Sequence, residues 1–86
     1  MTYHARITAK LQAAFQPSML NVIDESEQHH GHGGWQDGGE THFRVEIASA
    51  AFAGKSRVDM HRMINAALAD ELKERVHALA IAAKAG

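Results

Sequence analysis

Residues 26–39 read Ser-Glu-Gln-His-His-Gly-His-Gly-Gly-Trp-Gln-Asp-Gly-Gly, and this stretch constrains the fold more than any other. It holds five of the seven glycines in the chain. Glycine at that density loses too much backbone entropy on ordering to build a helix or a strand. The stretch is expected to be a long loop within one domain, and loops of roughly 12–15 residues without internal structure are usually functional or disordered. A chain of 86 residues has room for one domain spanning 1–86 and one modest core.

Periodic patterns flank the loop. Thr2 can cap a helix in which Tyr3, Ile7, Leu11 and Phe15 form one stripe with Ala14 beside them, and Pro17 ends that helix near Phe15. Met19 to Glu25 contains β-branched and apolar residues and no breaker, which predicts a short strand. In Thr41 to Ile47, the apolar Phe43, Val45 and Ile47 alternate with His42, Arg44 and Glu46. That is a half-buried strand with one wet face, paired antiparallel with its predecessor.

Phe52-Ala53-Gly54 is expected to be a short connection. Ser56 and Asp59 then have capping-box spacing. Met60, Ile64, Ala67, Leu68, Glu71 and Leu72 follow helical spacing, all apolar except Glu71, with a break expected near Ala69-Asp70. Val76 to Ala82 is assigned to a third strand, because a hairpin alone is marginal. His77 would then share parity with Leu79 and Ile81, which fits a buried, hydrogen-bonded structural histidine. The order α-β-β-α-(α)-β predicts an α+β sandwich with helices on one sheet face.

The chain has no cysteine and seven histidines. That excludes disulfides, thiolate zinc sites, a thiol nucleophile and a self-sufficient Cys-ligated iron–sulfur site. Hydrophobic residues at 45% and charged residues at 22% argue for a folded domain. A formal net charge of −1 suits nucleic-acid binding poorly. No apolar run approaches the ~20 residues of a membrane span, and no signal-peptide core is visible, so a cytoplasmic protein is expected.

Side-chain chemistry concentrates in and around the loop. His29, His30 and His32 fall close together and can bind zinc, nickel or copper, although the surrounding glycines give no preorganisation. Asp24 and Glu25 border the loop and can orient an imidazole by accepting its N–H. Trp35 is either a loop anchor or a partner contact. His42 reads as support for the loop, His61 as a core-edge residue, and His4 is uninformative. Lys55, Arg57 and Arg62 form a local basic patch that suits weak, salt-dependent nucleic-acid binding. Gly54-Lys55-Ser56-Arg57 has one glycine, so it lacks the G-x-x-G clamp of a KH domain. A phosphate-binding P-loop fails because its first glycine position is Ser49. No catalytic constellation is present in the sequence pattern, and a non-enzymatic role is expected.

Several segments in order resemble the BolA family. They are Asp24-Glu25-Ser26 before the loop, Gly39-Glu40-Thr41-His42-Phe43, Phe52-Ala53-Gly54, His61-Arg62, Ala69-Asp70-Glu71-Leu72 and Val76-His77-Ala78-Leu79. The resemblance runs from about Ala5 to Ala82. Met60 departs from it, standing where the family commonly has arginine, and the loop is of the histidine rather than the cysteine kind. The resemblance implies a type II KH-like α-β-β-α-α-β fold with a three-stranded mixed sheet. It also implies pairing with a monothiol glutaredoxin of the CGFS type around a shared 2Fe–2S cluster, with glutathione as a further ligand. On that pattern His29 is the expected loop ligand and His77 the second, with His30 and His32 as alternatives. The resemblance also brings a link to transcriptional regulation, which makes DNA binding the runner-up. The free protein is expected to be a monomer. Imidazole must be deprotonated to bind metal, so such a cluster is expected to be labile toward acid.

Overall fold

In the computed structural model, which describes residues 2–25 and 41–86, Thr2 opens the first helix. Its hydroxyl accepts the Ala5 amide at 3.0 Å. Helix α1 spans Tyr3–Phe15 and buries Ile7 and Leu11. Tyr3 and Phe15 pack against the core from the ends of the stripe, whereas Ala14 is exposed, contrary to its expected place beside them. Gln16 closes the helix in the left-handed region, at φ 45°, immediately before Pro17.

The sheet has three strands in the order β1-β2-β3. Strand β1, Met19–Asp24, pairs antiparallel with β2, His42–Ala48. Strand β3, Ala78–Lys84, pairs parallel with β2. The sheet is therefore mixed, with β2 central. Phe43, Val45 and Ile47 point into the core, as the alternation in the sequence requires. His42, Arg44 and Glu46 lie on the opposite face and register with Ala78, Ala80 and Ala82 of β3.

A parallel return needs a crossover, and two helices supply it. Ser49 caps a short 3-10 turn, Ala50–Phe52, and its buried hydroxyl donates to the Phe15 carbonyl at 2.6 Å. Gly54 turns the chain at φ +75°. Helix α2, Arg57–Ala67, starts with the Ser56 hydroxyl accepting the Asp59 amide at 3.1 Å. The expected break falls at Leu68, directly before α3, Ala69–Glu74. Ile64 and Leu68 join Ile7, Leu11, Phe52, Val76 and the inner β2 side chains in one core. Both long helices thus cover the same sheet face, and the architecture is α+β, as read from the sequence.

One charged residue lies inside this core. Glu71 is fully buried, with both carboxylate oxygens taken by cations of α1. Arg6 approaches Oε2 at 2.8 Å and Lys10 donates to Oε1 at 2.9 Å. Arg6 also donates to Glu74 and stacks over the Tyr3 ring, whose hydroxyl donates to Glu74 at 3.0 Å. A buried carboxylate is tolerated only when paired and hydrogen-bonded, and here both conditions hold.

Candidate functional site

The third strand begins at Ala78, two residues later than the sequence pattern suggests. His77 stands just outside it and is exposed, so the buried structural reading does not hold. The cause is a long-range backbone contact. The amides of His77 and Ala78 both donate to the Thr41 carbonyl, at 2.7 and 3.3 Å. The β2–β3 ladder therefore starts with His42 opposite Ala78. On the other side of His77, Val76 is buried and its amide donates to the Glu71 carbonyl at 2.9 Å. His77 thus presents its side chain from a segment held by backbone bonds on both sides.

Thr41 gathers a second histidine at the same place. It is fully buried, and its hydroxyl lies 2.9 Å from His42 Nδ1. The His42 and His77 rings stand 6.5 Å apart between centroids, tilted by 51°. The sequence pattern points to His42 as support for residues 26–39; the fold makes it the neighbour of His77. Parallel pairing is what brings them together, and local sequence pattern does not encode that pairing.

His29, His30, His32 and Trp35 lie outside the described residues. Among the described residues no group of three His, Asp or Glu converges as metal ligands. The described donor set at this end of the sheet is the two imidazoles, which suits a share in a cluster whose other ligands come from elsewhere. Iron in a 2Fe–2S rhomb accepts imidazole in place of thiolate.

Glu25 takes the Arg44 guanidinium, with Nε donating to Oε2 at 3.0 Å, so its carboxylate serves the sheet surface. The Glu25 amide donates to the His42 carbonyl at 2.7 Å, which extends the β1–β2 pairing by one residue. His4, uninformative in sequence, places Nε2 2.7 Å from the Val22 carbonyl and ties α1 to β1. His61 is half-buried on α2, as a core-edge residue should be.

Lys55, Arg57 and Arg62 are exposed at and near the start of α2. None of them forms an ion pair with another described residue. At the opposite end of β3, Met19, Glu46, Ala82, Ala83 and Lys84 line an open hollow of about 270 Å³. It is separate from the histidine pair. No helix among the described residues is long and apolar enough to cross a membrane.

Comparison with known proteins shows what the chain is similar to. The family described as BolA-like protein matches residues 11–86. The DNA-binding transcriptional regulator BolA of Escherichia coli is 46% identical over 81 residues, covering 94% of this chain and 73% of that protein. SufE-like protein 1 of Arabidopsis thaliana is 51% identical over 83 residues, covering 92% of this chain and 22% of that protein. The chain therefore corresponds to a small part of the latter. The solved BolA domain of SufE1 from Arabidopsis thaliana superposes with a TM-score of 0.89 at 47% identity, covering 99% of this chain and 93% of that one.

Proposed function

The chain belongs to the BolA-like protein family, and from that premise we propose that it is a cytoplasmic, non-enzymatic adaptor that docks on a monothiol glutaredoxin of the CGFS type. In the complex it lends imidazole ligands to a shared 2Fe–2S cluster, for iron–sulfur trafficking or iron sensing. His77 is the fixed ligand and His29 the loop ligand, with His30 or His32 as substitutes. The partner's cysteine and glutathione supply the thiolates that this chain, which has no cysteine, lacks.

The observation that carries this reading is the presentation of His77. An exposed imidazole is held by backbone hydrogen bonds at a strand start, 6.5 Å from a second imidazole, in a chain without thiols. A solvent-facing ligand on a rigid element can complete the coordination of a metal that arrives with another protein. Bound in that way, the cluster would supply one-electron redox chemistry, with imidazole ligation raising its potential. This chain's own residues hold and orient the ligand.

The test is to assemble the cluster on a monothiol glutaredoxin with glutathione, add this protein, and follow visible circular dichroism. The wild-type protein should change the spectrum, and His77→Ala and His29→Ala should alter or abolish that change. If neither substitution matters, the ligand assignment is wrong.

A second reading is supported by the name of the Escherichia coli relative and by the exposed cations Lys55, Arg57 and Arg62. On it, the chain is a DNA-binding regulator. An electrophoretic shift that persists at physiological salt and disappears in Lys55→Ala/Arg57→Ala/Arg62→Ala supports it; a shift lost at that salt counts against it.

A further inference from the structure

We propose that Glu71 is a positioning residue for His77, acting through the end of α3. The inference rests on the ligand reading above for its functional consequence, but its structural part stands apart from it. Two halves of one residue carry the argument. The carboxylate, fully buried, is held from α1 by Arg6 at Oε2 and by Lys10 at Oε1. The carbonyl of the same residue accepts the amides of Arg75 at 3.1 Å and Val76 at 2.9 Å. His77 follows directly, with its own amide on Thr41.

The helix that delivers His77 is very short. Six residues, Ala69–Glu74, have little helical stability of their own, and α3 starts from Leu68 without a side-chain cap. Its exit is therefore set by tertiary contacts. Val76 anchors the exit in the core, and the Glu71 clamp fixes the rotation of the helix against α1. A neutral side chain of the same shape would keep the packing but loosen the ionic hold, and the turn at residues 75–77 would sample more orientations. The imidazole at 77 would then meet an incoming partner in its bound geometry less often.

A purely stabilising role would weaken the whole domain evenly, and amide hydrogen exchange separates the two cases. In Glu71→Gln, exchange at Val76, His77 and Ala78 should rise by about tenfold more than exchange at the central-strand residue Val45. Lys10→Met should show the same pattern more weakly, and Lys10→Arg should restore protection. These Lys10 variants carry the test if Glu71→Gln does not fold. In the mixed complex with a monothiol glutaredoxin, Glu71→Gln should perturb the visible circular dichroism in the same bands as His77→Ala. Exchange at residues 76–78 that rises only in step with Val45 overturns the proposal, as does a failure of Lys10→Arg to restore it. If His77→Ala leaves the spectrum unchanged, the ligand reading falls, while the exchange data still decide whether Glu71 positions the turn.

Discussion

The Thr41 carbonyl receives the His77 amide at 2.7 Å, and the Thr41 hydroxyl lies 2.9 Å from His42 Nδ1. One buried residue therefore locates both histidines. Its two groups can be separated experimentally, because a substitution reaches only the hydroxyl.

Thr41→Val keeps the volume and the backbone acceptor while removing the hydroxyl contact. A loss of about 1 kcal/mol is expected in urea unfolding, the ordinary size for one buried hydrogen bond. His77→Ala removes an exposed side chain and should stay within about 0.5 kcal/mol of wild type. A His77→Ala chain that melts far below Thr41→Val would show that the imidazole is structural after all.

Gly54 adopts φ +75° with nothing within 4 Å of where a Cβ would stand. The cost of a side chain there is conformational rather than steric. Gly54→Ala should destabilise by about 1 kcal/mol, and Gly54→Asn by less, since asparagine tolerates the left-handed region. Equal stability of the alanine variant and wild type in chemical denaturation would contradict the turn geometry.

Leu11 is completely buried between α1 and the sheet. Leu11→Ala should cost about 2–5 kcal/mol, through lost burial and the cavity left behind. Ala14→Ser, on the exposed side of the same helix, should cost little. The contrast, read as two thermal melts, checks which face of α1 is inward.

Glu74 gives a pH dependence of known sign. The hydrogen bond from Arg6, and then that from Tyr3, holds its carboxyl below the ordinary glutamate value of 4.5. A depressed folded-state pKa stabilises the fold above the ordinary value, and the contribution fades as pH falls through the folded-state value. Wild type should therefore exceed Glu74→Gln in urea midpoint near neutral pH, with the gap closing in acid. Lys10 is shifted upward, chiefly by its hydrogen bond to Glu71. Its contribution should persist through neutral pH and fade only as strong alkali titrates it. A wild-type to Glu74→Gln gap that stays constant into acid would remove Glu74 from the acid limb.

Much of the fold is legible locally. The Thr2 cap, the Ile7–Leu11 stripe, the alternation of Phe43, Val45 and Ile47 and the Ser56 cap are each written in neighbouring residues. What was not legible depends on distant partners. The start of β3 is set by Thr41, far back in the chain, so an alanine-rich pattern put His77 inside a strand that begins after it. Glu71 looked like an exception on an apolar stripe. Its partners were visible as two cations one turn apart, Arg6 and Lys10, but only the packing of α1 on α3 joins them. His42 gained its neighbour from parallel pairing alone. His29, His30 and His32 lie outside the described residues, so their roles as ligands rest on the resemblance alone.

The parallel seam between β2 and β3 also sets an order of assembly. The hairpin partner β1 precedes β2 in the chain, but the parallel partner follows both crossover helices. Contacts so far apart in sequence close late and slowly compared with local ones. During synthesis, a chain that has emerged only as far as α3 already contains the central strand, its antiparallel partner and the Thr41 carbonyl, yet lacks His77 and β3. The His77 imidazole is put in place by the same step that completes the sheet. On the function proposed above, a partly made chain would lack its fixed ligand until the core beneath it is closed.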